Sequence, residues 1–156
     1  LARTVQDNVV IFAVDIPKVR ATIHLDMVFT MIDRDCALVY DPVITGKDRA
    51  RTYRIDSSPD GNLHYSECDS LLDGLKGARF DIEPVFCGNK HSIYQEREQW
   101  LSGANSFAFA PGKIIVYSCN TYTMEALANA GFAIKNSLDF IEGKDSIDNY
   151  DLLQGH

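Results

Sequence analysis

Ala21-Thr22-Ile23-His24-Leu25-Asp26-Met27-Val28-Phe29-Thr30-Met31-Ile32-Asp33 is the stretch on which the reading of the fold turns. Ile23, Leu25, Val28, Phe29, Met31 and Ile32 form an apolar run of strand length with β-branched content. A buried strand over 21–33 is therefore expected in preference to a helix. Within it stand His24 and Asp26. Side chains two apart on a strand share a face, with Cα atoms about 6.6 Å apart, a spacing that suits two groups flanking one small ligand. On spacing alone such a pair is usually a partly exposed polar couple. The apolar setting argues otherwise, because two ionisable groups there are costly to bury unless they have partners.

Working outward, Asp33-Arg34-Asp35 is short enough for a hairpin turn, and 36–40 reads as the antiparallel neighbour of the strand. Upstream, 10–14 reads as a short buried strand ended by Pro17, and 1–9 as the end of a helix. Downstream come a polar loop over 41–50 and an edge strand over 52–56. The cluster Ser57-Ser58-Pro59-Asp60-Gly61-Asn62 marks a turn. A helix over 71–76, capped by Asp69 or Ser70 and stopped by Gly77, precedes a strand over 85–88. A second helix over 92–101 presents Ile93, Trp100 and Leu101 as its apolar stripe, with Trp100 expected in the core. Strands over 106–110 and 113–117 flank Pro111-Gly112 as a hairpin. A helix over 121–130, with Asn120 or Thr121 as cap and Gly131 as stop, leads to a strand from Phe132. Residues 139–156 read as a polar acidic tail, poorly ordered.

The elements repeat weakly as ββαβ units, which makes the chain α/β material. No Gly-rich phosphate loop follows the first strand, so a nucleotide fold is not supported. With 156 residues, 46% of them hydrophobic and 24% charged, the chain suits one globular domain. A net charge of -7 argues against nucleic acid and anionic membranes and favours a cationic substrate. No run approaches the length of a membrane span, and the N-terminus carries no secretory signal. Cys36, Cys68, Cys87 and Cys119 are widely spaced with no C-x-x-C pair, so zinc is not expected and reduced thiols in a cytoplasmic protein are. Their simplest role is as small buried hydrophobes. His64 and His91 read as exposed loop residues, and Asn105 as the residue that fixes a turn.

The segment from Arg20 to Asp33 resembles the R-A-T-M-H-L-D-T-V-F-T-M motif of bacterial arginine deiminases. A second match follows in order. Arg97-Glu98-Gln99-Trp100, Gly103-Ala104-Asn105 and Ala110-Pro111-Gly112 resemble that family's R-E-Q-W … G-A/S-N-x-L-A-I-A-P-G segment, and Tyr117, Asn120, Thr123 and Gly131 continue it. The resemblance implies the pentein superfamily, whose α/β-propeller has five ββαβ modules about a pseudo-fivefold axis. On that basis 1–138 is expected to be a partial pentein domain of about two modules.

The resemblance further implies hydrolysis of L-arginine to L-citrulline and ammonia, without metal or organic cofactor. A Cys nucleophile attacks the guanidinium carbon, carboxylates grip its nitrogens and a His moves protons. On this mapping Asp26 holds the guanidinium, and His24 is the general acid and then the general base. The residue types suit the chemistry: carboxylates bind the planar cation bidentately, and imidazole exchanges protons near neutrality.

The family's G-G-x-R-C nucleophile segment has no counterpart here, nor have its E-G-G-D and S-E-R-T motifs. Cys119 stands where the family usually has Arg, and Met27 where it has Thr. A fragment of a longer enzyme, inactive alone and prone to self-association through exposed module edges, is therefore expected. The alternatives are a relative acting on another guanidine, such as an amidinotransferase or agmatine deiminase, and a degenerate module without catalysis.

Overall fold

A computed structural model describes residues 9–146; the helix end expected over 1–9 falls almost wholly outside them. The architecture is mixed α/β. β1 (Val9–Asp15), β4 (Arg51–Ser57) and β5 (Leu63–Cys68) form an antiparallel sheet in the order β1-β4-β5. β4 is thus a central strand, not the edge strand expected. The turn cluster makes the β4–β5 hairpin, closed by Ser58 N–H donating to the Asn62 carbonyl at 3.0 Å.

A second sheet has the order β2-β3-β6, from β2 (Phe29–Met31), β3 (Cys36–Val39) and β6 (Glu83–Phe86). β2 and β3 run antiparallel about Asp33-Arg34-Asp35, and β6 runs parallel to β3. β3 is buried on both faces, as a central strand with parallel pairing tends to be. Ala37 and Val39 point into a core with Val28, Val43, Ile44 and Leu71. Leu38 points the other way, with Ile32, Val85, Cys87, Ala104 and Leu127. The first core is closed by α1 (Asp41–Ile44), in a stretch expected to be loop, and by α2 (Leu71–Gly77), whose cap Ser70 accepts from Asp73 N–H at 3.1 Å.

The second core is closed by α3 (Ser92–Trp100), α4 (Thr121–Asn129) and the hairpin β7 (Phe107–Ala110)–β8 (Lys113–Ile115). The hairpin turn is hooked to the end of β2 by Gly112 N–H donating to the Ile32 carbonyl at 3.0 Å. α3 reverses the expected stripe: Gln95, Glu98 and Gln99 are buried, whereas Ile93 is 68% and Trp100 57% exposed. Trp100 is therefore not core. The expected strand after Phe132 is absent, and the chain continues irregularly into α5 (Ser137–Ile141). That helix straddles the boundary expected at 138/139, and 147–156 lie outside the described residues. Among the described residues the three sheets do not close into a ring.

Candidate active site

The strand expected over 21–33 survives only as β2. The rest is two single-turn 3-10 helices, Arg20–Thr22 and Leu25–Met27, with His24 between them in extended conformation (φ -131°, ψ 156°). Period-2 alternation fails because Thr22 and Val28 are the inward residues, six apart rather than two, while Ile23, His24, Leu25 and Asp26 are all exposed. His24 and Asp26 therefore lie on a turn and not on a strand face. The His24 carbonyl accepts from Met27 N–H at 3.1 Å, which wraps the backbone around Leu25 and Asp26.

This exposed loop is fastened at both ends. Gln99 Nε2 donates to the Ala21 carbonyl and to the Met27 carbonyl, each at 2.7 Å. A primary amide nitrogen has two N–H bonds, and both are used. Thr22 Oγ1 donates to the Pro17 carbonyl at 2.6 Å. Thr30 Oγ1 lies 2.7 Å from the Asp26 carbonyl and 3.1 Å from that of Ala104. Tyr40 N–H then takes the Val28 carbonyl at 2.8 Å, where the loop enters the β2–β3 sheet.

Glu98, the neighbour of Gln99, faces another element. Its buried carboxylate accepts from Tyr122 N–H (2.9 Å), Thr123 N–H (2.8 Å) and Thr123 Oγ1–H (2.6 Å). The two N–H groups are orphan donors of the first turn of α4, so Glu98 supplies the cap that Asn120 or Thr121 was expected to give. Asn120 instead donates through Nδ2 to the Leu101 carbonyl at 3.0 Å. Tyr94 of α3 stacks on Tyr122 of α4, with ring centroids 3.6 Å apart. Gly88 N–H donates to Thr123 Oγ1 at 3.0 Å, and a Cβ at Gly88 (φ +66°) would fall inside the backbone of Gln95.

None of the four cysteines is disulfide-bonded. Burial pushes the Cys87 thiol up to about 12. Burial, then the neighbouring Asp35, Asp33 and Glu83 carboxylates, push the Cys36 thiol up to about 11. A thiol must ionise to attack, so both are chemically quiet at neutral pH. Cys68 is half-buried, and Cys119 is exposed and not the buried hydrophobe expected.

Two depressions lie on the β1-β4-β5 sheet, one lined by Arg54, Glu67, Cys68, Asp69 and Asp73, the other by Arg54, Asp56 and His64; neither includes His24 or Asp26. Arg54 grips Asp56 through two nitrogens at 2.7–3.0 Å, which holds the Asp56 carboxyl below its ordinary range. Among the described residues no group of three or more His, Cys, Asp or Glu is placed to hold a metal ion. Among them, too, no helix is long and apolar enough to cross a membrane.

The sequence singled out His24 and Asp26 as candidates but not Gln99 and Thr30, which fasten their loop. The available signal was the polar trio Gln95, Glu98 and Gln99 at i, i+3, i+4, one face of a helix.

A family model described as arginine deiminase matches residues 1–136. An arginine deiminase of Clostridium perfringens is 39% identical over 128 residues, 80% of this chain and 30% of that protein. One from Lactococcus lactis subsp. cremoris is 32% identical over 130 residues, 82% of this chain and 32% of that protein. One from Bacillus cereus is 33% identical over 127 residues, covering 80% and 31%. The chain thus spans about a third of the length of the curated relatives it matches.

Proposed function

This chain belongs to the arginine deiminase family, and we propose that it supplies the proton-shuttling and guanidinium-gripping loop of an enzyme that hydrolyses L-arginine to L-citrulline and ammonia. The observation that carries the reading is that His24 and Asp26 both stand exposed on one turn whose ends are tied to buried groups. Its two-module pentein assignment and a nucleophile outside this chain belong to the same proposal. The quiet Cys36 and Cys87 thiols support the latter.

The Asp26 carboxylate holds the N–H edge of the guanidinium by charge-assisted hydrogen bonds. A thiolate adds to the guanidinium carbon, the C–N bond breaks, and ammonia leaves with a proton from the His24 imidazolium. Water then gives a proton to neutral His24. Its oxygen bonds to the same carbon, the C–S bond breaks and the thiolate departs; the remaining hydroxyl proton passes to solvent, where the released ammonia takes it up as ammonium, and the ureido group of citrulline is left. Protons and electron pairs balance, with no redox partner required.

In the complete enzyme, His24→Ala and Asp26→Ala are each expected to lower kcat by roughly 10²–10⁴-fold. Citrulline release in steady-state assays checks this, and near-wild-type rates in both variants remove the assigned roles. Residues 1–156 alone are expected to release no citrulline from arginine.

A further inference from the structure

We infer that Gln99 is a positioning residue for the His24–Asp26 loop, so that the side-chain amide of α3 sets the geometry in which that loop meets the guanidinium. The inference rests on the reading of His24 and Asp26 given above.

Besides Gln99, side-chain ties on the loop come from Thr22 on the Pro17 carbonyl and Thr30 on the Asp26 carbonyl, and neither joins its two ends. Ile23, His24, Leu25 and Asp26 are exposed, and neither single-turn helix has a side-chain cap. Exposed turns with few apolar contacts open easily. Gln99 is 1% exposed, and its Nε2 spans the two ends of the loop, at Ala21 and Met27. A single nitrogen bound to both carbonyls fixes the distance between them, and with it the arc on which His24 and Asp26 ride. Gln99 Oε1 has no hydrogen-bond partner although it is buried. An orphaned buried oxygen is unfavourable, so the site keeps an amide for its donors alone. Glu cannot replace it, because a carboxylate would face two carbonyl oxygens. Met fills the same volume but donates nothing.

Displacement of about 1 Å at a reacting group can cost about 10²-fold in rate. In the complete enzyme Gln99→Met is therefore expected to lower kcat/KM for arginine by about 10²-fold. Hydrogen exchange at the Leu25–Val28 amides is expected to rise by at least about 10-fold, with α4 amides unchanged. Gln99→Glu is expected to fall further and to regain rate as the pH drops and its carboxyl gains a proton to donate. His24→Ala, measured beside them, separates the two claims. If His24→Ala keeps activity while Gln99→Met still loosens the loop, the catalytic reading fails and the clamp stands. If His24→Ala is inactive while Gln99→Met keeps wild-type kcat/KM and exchange, the clamp is overturned. If both Gln99 variants unfold, Gln99 is a fold residue and the positioning role is overturned as well.

Discussion

Glu98 shows what one buried side chain does when it stands in for a local cap. Its carboxylate answers three donors on α4, the Tyr122 and Thr123 N–H groups and the Thr123 hydroxyl. Glu98→Ala leaves buried donors unmet and removes a cap, a loss of about 2–4 kcal/mol. Urea denaturation should show the lowered midpoint. The thiols give a second prediction at this scale. Folded Cys87 titrates near 12 and Cys36 near 11, against an ordinary value of 9.0. Above pH 9 the unfolded chain releases these protons while the folded chain keeps them, so stability is intact below 9 and declines as pH rises toward 12. Alkylation mapped by mass spectrometry at pH 8 should mark exposed Cys119 first and Cys87 only on unfolding.

At the scale of the element, Gly88 and Gly61 make a matched pair. Both lie at positive φ, +66° and +83°, but a Cβ at Gly61 meets nothing within 4 Å, whereas one at Gly88 meets the α3 backbone. Gly61→Ala should therefore lose only about 1–2 kcal/mol, the left-handed penalty. Gly88→Ala should lose more than about 3 kcal/mol, because α3 must also move. Melting curves of the two variants check the ranking.

The elements also explain what the sequence made legible. Turn chemistry read truly: Ser57–Asn62, Pro111-Gly112, Ser70 and Gly131 lie where hairpins, a cap and a helix end occur. These signals are local. The stripe of α3 was misread because its buried face is polar, and a polar face matched to distant carbonyls and amides looks like a solvated one until the partners are known. The segment 21–33 was misread because single-turn helices leave no period in the sequence. His24 and Asp26 were proposed from motif and chemistry, and the strand geometry first invoked for them does not hold.

For the whole molecule, the elements that close the second core leave large apolar side chains exposed. Ile93, Trp100 and Leu101 of α3 and its end, with Phe107 and Ile115 of the hairpin, are between 42% and 68% exposed. Exposed apolar side chains in such number promote association. The chain on its own is expected to run above its monomer mass in light scattering. Ile93→Lys with Phe107→Lys should return it toward 17.4 kDa.

The parallel seam between Cys36–Val39 and Glu83–Phe86 joins strands whose intervening chain holds a complete hairpin and two helices. Ordering that excursion first reduces the entropy lost when the seam closes. Refolding should therefore proceed from the arm inward: in pulse-labelling experiments β4–β5 amides gain protection before those of Leu38 and Val85. A nascent chain halted between those two times would carry its most deeply buried strand, Ala37-Leu38-Val39, with one flank bare.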